Sequence, residues 1–275
     1  MSMCLAMQTD HGVSLRRSLT ALRLSRAAPY AKPRRRDDTP LIEAMTAYLA
    51  DNPGQGFGLL YEAFRAKGHP WGKTRLWRVY CALKMNLPRR GKRRLPDRIQ
   101  TPLAIPLAAN HTWSADFMAD ALWSGRRFRT FNVNDDFNRE SLRIEIDTSL
   151  PSARVIRALD ELIETRGAPQ RLRLDNGPEF ISQALQNWAA HHGVALVHIQ
   201  PGKPTQNAYI ERFNRTFRTE VLDRYVFETL HDVRRMTEDW RHRYNHHRPH
   251  RALGGLPPVP YALAKSPKPS ISACL

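Results

Sequence analysis

"SLRIEIDTSLPSARVIRALDELIETRGAPQRLRLDNGPEF", residues 141–180, changes its periodicity twice within forty residues. Residues 141–149 alternate apolar and polar side chains, the pattern of a half-buried strand. From Pro151 the apolar positions recur every three or four residues until Gly167, so a helix is predicted with proline at its start and glycine past its end. "RLRL", 171–174, reads as a second strand that stops at the turn "DNGP". Strand, helix and strand in succession predict a sheet with helices on its faces.

The same grammar extends outward. "TWSADFMADAL" (112–122) and "RRFRTFNVNDDF" (126–137), separated by the turn signal "WSGR", give with residues 141–149 three consecutive antiparallel strands. Downstream, helix "EFISQALQNWAAHHG", strand "VALVHI" and helix "TQNAYIERFNRTFRTEVL" follow. The predicted class is α/β, a mixed five-stranded sheet flanked by helices.

Before this unit, residues 40–87 hold three short helical patterns with Gly-containing joints, a helix-turn-helix-like module. Lys73, Thr74, Arg75 and Arg78 lie off the apolar stripe of the third and are expected to face the groove or backbone of DNA. Residues 11–36 contain eight Lys or Arg and no acid, with Leu15, Leu19 and Leu22 at helical spacing and Ser25 a possible cap for a further short helix. The expected organisation is a basic helical arm (1–39), the helix-turn-helix-like module (40–90), a basic Pro-rich linker (91–112), the α/β core (113–247) and a C-terminal tail (248–275).

In 275 residues, 43 Lys and Arg face 26 Asp and Glu, a formal net charge of +17. Such an excess points to a polyanionic partner, DNA first. No run of eighteen apolar residues suggests a membrane span, and the start "MSMCLAMQTDHG" lacks the pattern of a signal peptide, so a cytoplasmic, nucleoid-associated protein without membrane partners is expected. Cys4, Cys81 and Cys274 form neither a disulfide framework nor a metal pair.

Within this basic chain three acids stand out. Asp116 sits in the middle of a core strand, Asp175 where the fourth strand stops, and Glu211 on the polar face of a helix whose Ile210, Phe213, Phe217 and Val221 form the buried stripe. Convergence of three carboxylates costs about 4 kcal/mol per pair at 4 Å with an effective dielectric near 20, and divalent cations reverse that sign. Mg²⁺ suits a sparse carboxylate site, and two such ions hold the attacking and leaving oxygens of an in-line displacement at phosphorus. Phosphodiester chemistry is therefore expected.

"WSADF", "LDNGPEF" and "TQNAYIERFNRTFRTEVL", with thirty-five residues between Asp175 and Glu211, closely resemble the DDE transposases and retroviral-type integrases. The resemblance is strongest to the second-frame products of bacterial copy-out, paste-in insertion sequences, whose endings "WRHRYNHHRPHRALGGLPPVPYA" also resembles. It implies an RNase H-like core, a metal-binding triad of Asp116, Asp175 and Glu211 with Mg²⁺ or Mn²⁺, cleavage by water at the element's end, and attack by the freed 3′-hydroxyl on another phosphodiester. It further implies that Lys203, Gln206, Asn207, Asn214, Arg215 and Arg218 contact DNA near the cut, and it leaves open a frameshift fusion with an upstream first-frame product; because two DNA ends must be held together, a homo-oligomer on DNA is expected. Arg23 stands where the group usually has a turn glycine.

Other readings are separable. A DNA-binding regulator derived from a transposase would bind element ends without cutting them, and a tyrosine recombinase would use Tyr244 covalently and need no metal. Glu179 is expected in the first turn of the helix after Asp175, placed by the helix dipole. Asp135 and Asp136 are expected to form a turn or support the site, Trp188 and Trp240 to be core, and His242, His246, His247 and His250 to form a partly protonated, DNA-facing surface.

Overall fold

The computed structural model describes residues 2–26, 37–87, 106–200 and 204–265. The arginine cluster 34–36, most of the linker 91–112, Lys203 and Cys274 lie outside the described residues. The chain divides into two compact units, Met1–Glu43 and Ala44–Leu275.

In the first unit, α1 (Ser2–His11) packs on α2 (Leu15–Ala21), burying Cys4, Ser18 and Leu19. The chain leaves α2 with Arg23 N–H donating to Thr20 O and Leu24 N–H to Leu19 O, and Arg23 takes the left-handed conformation, φ 53°. This is the helix-ending geometry that favours glycine. The short helix that Ser25 was expected to cap lies outside the described residues, and α3 (Thr39–Asp51) is the next helix among them.

In the second unit, the end of α3 leads into α4 (Phe57–Ala66) and α5 (Lys73–Ala82), the three predicted helices. Phe57 lies edge-on to Trp77 and Tyr80, with ring centroids 4.8 and 5.4 Å away. The sheet follows: β1 (Thr112–Ala121), β2 (Arg127–Asp135), β3 (Ser141–Asp147), β4 (Arg171–Leu174) and β5 (Ala195–His198), in spatial order β3-β2-β1-β4-β5. The first three are antiparallel, and β4 and β5 run parallel to β1.

Alternation sorts the two faces. Trp113, Ala115, Phe131 and Val133 join the core beneath α6 (Ser152–Arg166) and α7 (Gln183–His192). The opposite face, with Met118, Phe128, Ile144 and Ile146, is covered by α8 (Ala208–Phe217) and α9 (Leu230–His246), whose Ile210, Phe213, Phe217 and Trp240 complete a second core. Trp188 belongs to the first core and Trp240 to the second.

Two local expectations are corrected. The helix after β4 begins at Gln183, because Ser182 is its cap: its Oγ accepts the Leu185 N–H at 3.4 Å. Glu179 therefore lies in the preceding turn and takes no part in that helix start. The residues after His246 do not all trail away: α10 (Pro258–Lys265) docks on the β2–β3 turn, where Asn138 Nδ2 donates to Pro258 O at 3.2 Å and Phe137 stacks near Tyr261.

Candidate active site

Asp116 lies opposite Asn132 of β2, on the sheet face covered by α8. One carboxylate oxygen accepts the Phe117 N–H at 2.8 Å; the other accepts Asn214 Nδ2 at 2.8 Å. Asn214 Oδ1 in turn accepts Asn132 Nδ2 at 2.7 Å. Both asparagines are buried, so this bridge between β2, α8 and β1 fixes the direction in which Asp116 points.

Asp175 follows the last residue of β4, at the carboxyl end of a parallel strand where α/β sheets place their ligands. Its Oδ1 accepts the Gly177 N–H at 2.9 Å, and a Cβ at Gly177 would sit 3.0 Å from that oxygen, so glycine lets the turn fold this tightly against the acid. Glu211 is in the first turn of α8 and exposed.

Asp116 senses both other acids. Burial pushes the Asp116 carboxyl up to about 6, and the negative charges of Asp175 and Glu211 push the same way against the hydrogen bonds from Phe117 and Asn214. What burial Glu211 has raises its carboxyl too, opposed by Arg215 one turn along the helix. Among the described residues no salt bridge reaches any of the three. Nor does any group of three His, Cys, Asp or Glu side chains among them close a ready metal cage. The donor chemistry nevertheless suits a hard divalent cation: three carboxylates without a salt bridge among the described residues, which supply few oxygens and leave room for water and phosphate.

The expected DNA-facing residues divide. Lys73, Arg78 and Arg215 are exposed, Arg75 is half-buried, and Lys73 Nζ sits 5.6 Å from the centre of the Tyr61 ring. Gln206 hydrogen-bonds Gln200 through both ends of its amide. Arg218 is held by Asp120 at 3.3 Å and Ala119 O at 2.9 Å. Asn207 and Asn214 are buried, so neither faces DNA here, and Asn214 is spent on Asp116.

Sequence reading missed Asn132 and Arg129. The row Thr130, Asn132, Asn134, polar at every second position of a core strand on the Asp116 face, was the available signal. Arg129 pairs with Glu179 and lies over the Phe117 ring at 4.2 Å, tying the Asp175 turn to β2. Asp135 accepts the Asn110 and Phe137 N–H groups, and the fully buried Asp136 pairs with Arg173 at 2.6 Å. Both are structural.

Tyr244 is buried and its hydroxyl is pushed up to about 12 by that burial, which leaves no accessible nucleophile for a covalent recombinase. The histidines do not form one charged surface: His242 stacks on His246 at 4.6 Å, but His250 is largely buried and pushed down to about 3, with Arg248, Arg212 and Arg139 reinforcing the burial. No helix among the described residues is long and apolar enough to cross a membrane.

The chain matches the integrase core domain family in two stretches, residues 106–204 and 192–258. It is 38% identical to the 31.7 kDa protein of insertion element IS407 from Burkholderia multivorans, over 94% of this chain and 93% of that one. It is also 38% identical to the 39.2 kDa protein of insertion element IS476 from Xanthomonas euvesicatoria, over 82% of this chain but 66% of the relative's length. A candidate transposase of element IS986/IS6110 from Mycobacterium tuberculosis is 26% identical over 56% of this chain and 58% of its own. The two integrase-core stretches together take in the whole sheet and α8, and identity to the IS407 protein runs almost from end to end; the chain belongs to the insertion-element transposases built on an integrase core domain.

Proposed function

We propose that the chain cuts DNA at the ends of an insertion element and joins the resulting 3′-hydroxyl to target DNA, with Asp116, Asp175 and Glu211 as the ligands of two Mg²⁺ or Mn²⁺ ions. The observation that carries this reading is that β1, the end of its parallel neighbour β4 and the first turn of α8, a helix tied to Asp116 through Asn214, each carry one of the three acids, with the charges of Asp175 and Glu211 acting on Asp116. When bound, divalent ions would offset that repulsion and stabilise charge on the phosphodiester.

The remaining work belongs to the chain's own groups. Asn214, backed by Asn132, and the Phe117 N–H hold both oxygens of Asp116 in a fixed direction, so little reorganisation is needed as charge builds on the substrate. The Gly177 N–H does the same for Asp175. Arg215, exposed one turn beyond Glu211, is placed to meet a phosphate. A homo-oligomer follows from the task, since two element ends must be held together, and the task places the protein with the nucleoid.

The test is a gel assay of strand cleavage and joining on duplexes carrying the element's ends, with Mg²⁺ or Mn²⁺. Cleavage is expected to disappear with chelator and with Asp175→Asn; undiminished cleavage in either case overturns the reading. End binding without any cutting by the wild-type chain would favour the regulator instead.

A further inference from the structure

The hairpin joining β1 to β2 presents a surface that the acidic site does not use. Trp123 at its tip is 78% exposed. Tryptophan is usually well covered, and an indole left in water at a turn is a costly arrangement unless something binds it. The tip is firmly built: Leu122 N–H donates to Arg126 O and Gly125 N–H to Leu122 O, each at 2.9 Å, and Trp123 N–H donates to Phe227 O at 2.8 Å. Phe227 is buried in the core beneath, so the backbone holds the indole outward from a fixed point.

Next to that hydrogen bond, Tyr225 and Val226 are 37% and 69% exposed. Arg126 and Arg127 are exposed as well, and among the described residues neither guanidinium group makes a hydrogen bond or an ion pair. An outward aromatic ring flanked by uncommitted guanidinium groups is the combination that holds unpaired nucleic acid: a base stacks on the ring while neighbouring phosphates meet the cations. The place fits also. Trp123 follows Asp116 by seven residues along the same strand direction, and at about 3.3 Å per residue that separation is roughly 20 Å, the span of a few nucleotides.

We propose that the β1–β2 tip is a base-stacking DNA contact, in which Trp123 stacks on an unpaired base near the cut and Arg126 and Arg127 hold the adjoining phosphates. The proposal rests on the reading of the chain as a DNA strand-transfer enzyme and adds the class of DNA it grips: ends with unstacked bases.

The experiment uses the full chain and two labelled DNAs of equal length, one fully paired and one ending in a short unpaired oligothymidine. Trp123→Ala is expected to weaken binding of the unpaired end about ten-fold while changing duplex binding less than two-fold, and Trp123→Phe to restore most of the loss. Arg126→Gln with Arg127→Gln should lower the salt dependence on the unpaired end, with thermal melting confirming that each variant folds. Equal binding of both DNAs by wild type and Trp123→Ala overturns the proposal. So does a variant that shifts the sedimentation of the protein but not its DNA affinity, which would make the tip a contact between copies. Failure of the strand-transfer reading would show separately, as no cutting of element ends with Mg²⁺ despite an intact binding difference.

Discussion

Asn214 is where a single side chain has most leverage over the chemistry. It was expected to meet DNA, and its position on the polar face of α8 was visible in the helical spacing; its partners, Asp116 and Asn132, are 98 and 82 residues away and could not be read from any local pattern. Asn214→Ala frees one oxygen of Asp116 and strands the Asn132 amide, a buried loss of about 1–3 kcal/mol. Cleavage should fall about ten-fold or more in kcat with KM little changed, and Asn132→Ala, which leaves Asp116 its direct donor, should lose less; steady-state kinetics on element-end DNA would separate them. Equal losses confined to stability would make the bridge structural only. The acids of "LDNGPEF" separate by the same reasoning. Glu179 braces the turn through Arg129 on a partly exposed pair, whereas Asp175 stands at the end of β4 and its charge acts on Asp116. Glu179→Gln keeps a hydrogen-bonding partner for Arg129, so it should retain far more cleavage than Asp175→Asn in the same gel assay.

His250 carries a different kind of prediction. Its ring is edge-on to Tyr244, burial first and the charges of Arg248, Arg212 and Arg139 next oppose its protonation, and the folded state holds it neutral down to about 3 against an ordinary value of 6.5. The unfolded chain takes up a proton below 6.5 that the folded chain refuses, so this residue removes stability as pH falls from 6.5 towards 3. The slope is at most about 1.4 kcal/mol per pH unit. Denaturant unfolding at several pH values should show wild type and His250→Gln in parallel above about pH 7, with wild type losing stability relative to the variant as pH falls below 6.5; curves that stay parallel into acid would mean that the ring is protonated in the fold.

At the scale of elements, the strands and helices that were legible are those whose signal is local. Alternation in 112–122, 126–137 and 141–149 gave the antiparallel triplet, and Pro151 and Gly167 bracketed α6, although proline proved to be its cap. What stayed hidden depends on non-local competition. Ser182 wins the start of α7 from Glu179, the strand register slips between Val133 and Asn134, and Phe137 and Asn138 recruit α10 from residues over a hundred positions later. The end of α2 is a case where sequence and structure meet. Arg23 occupies the left-handed position that ends the helix, where a side chain costs about 1–2 kcal/mol. Glycine removes that strain but adds freedom to the unfolded chain, for a net gain of about 1 kcal/mol or somewhat less. Arg23→Gly should slow hydrogen exchange at the Arg23 and Leu24 amides, which close the turn, by several-fold; unchanged exchange would show that the arginine is accommodated without strain.

For the whole molecule, the charge of +17 is a statement about partners and leaves the fold undetermined. The acids proposed for the chemistry are few, and other buried acids sit in pairs such as Asp136 with Arg173 and Glu220 with Arg248, so much of the cationic excess stays on the surface. If that surface grips DNA along its backbone, each neutralised phosphate releases a counterion and the logarithm of the binding constant falls linearly with the logarithm of salt, by about 0.9 per contact. Six or more contacts would weaken binding about a thousand-fold between 50 and 200 mM salt. Arg16 and Arg17 on α2 are exposed and, among the described residues, make no ion pair. Changing both to glutamine should lower the slope by about 1.8 on specific and random duplex alike, because phosphate contacts carry no sequence information. A slope unchanged by the pair would remove the N-terminal unit from the DNA interface, and a loss confined to element-end DNA would show that these arginines read bases.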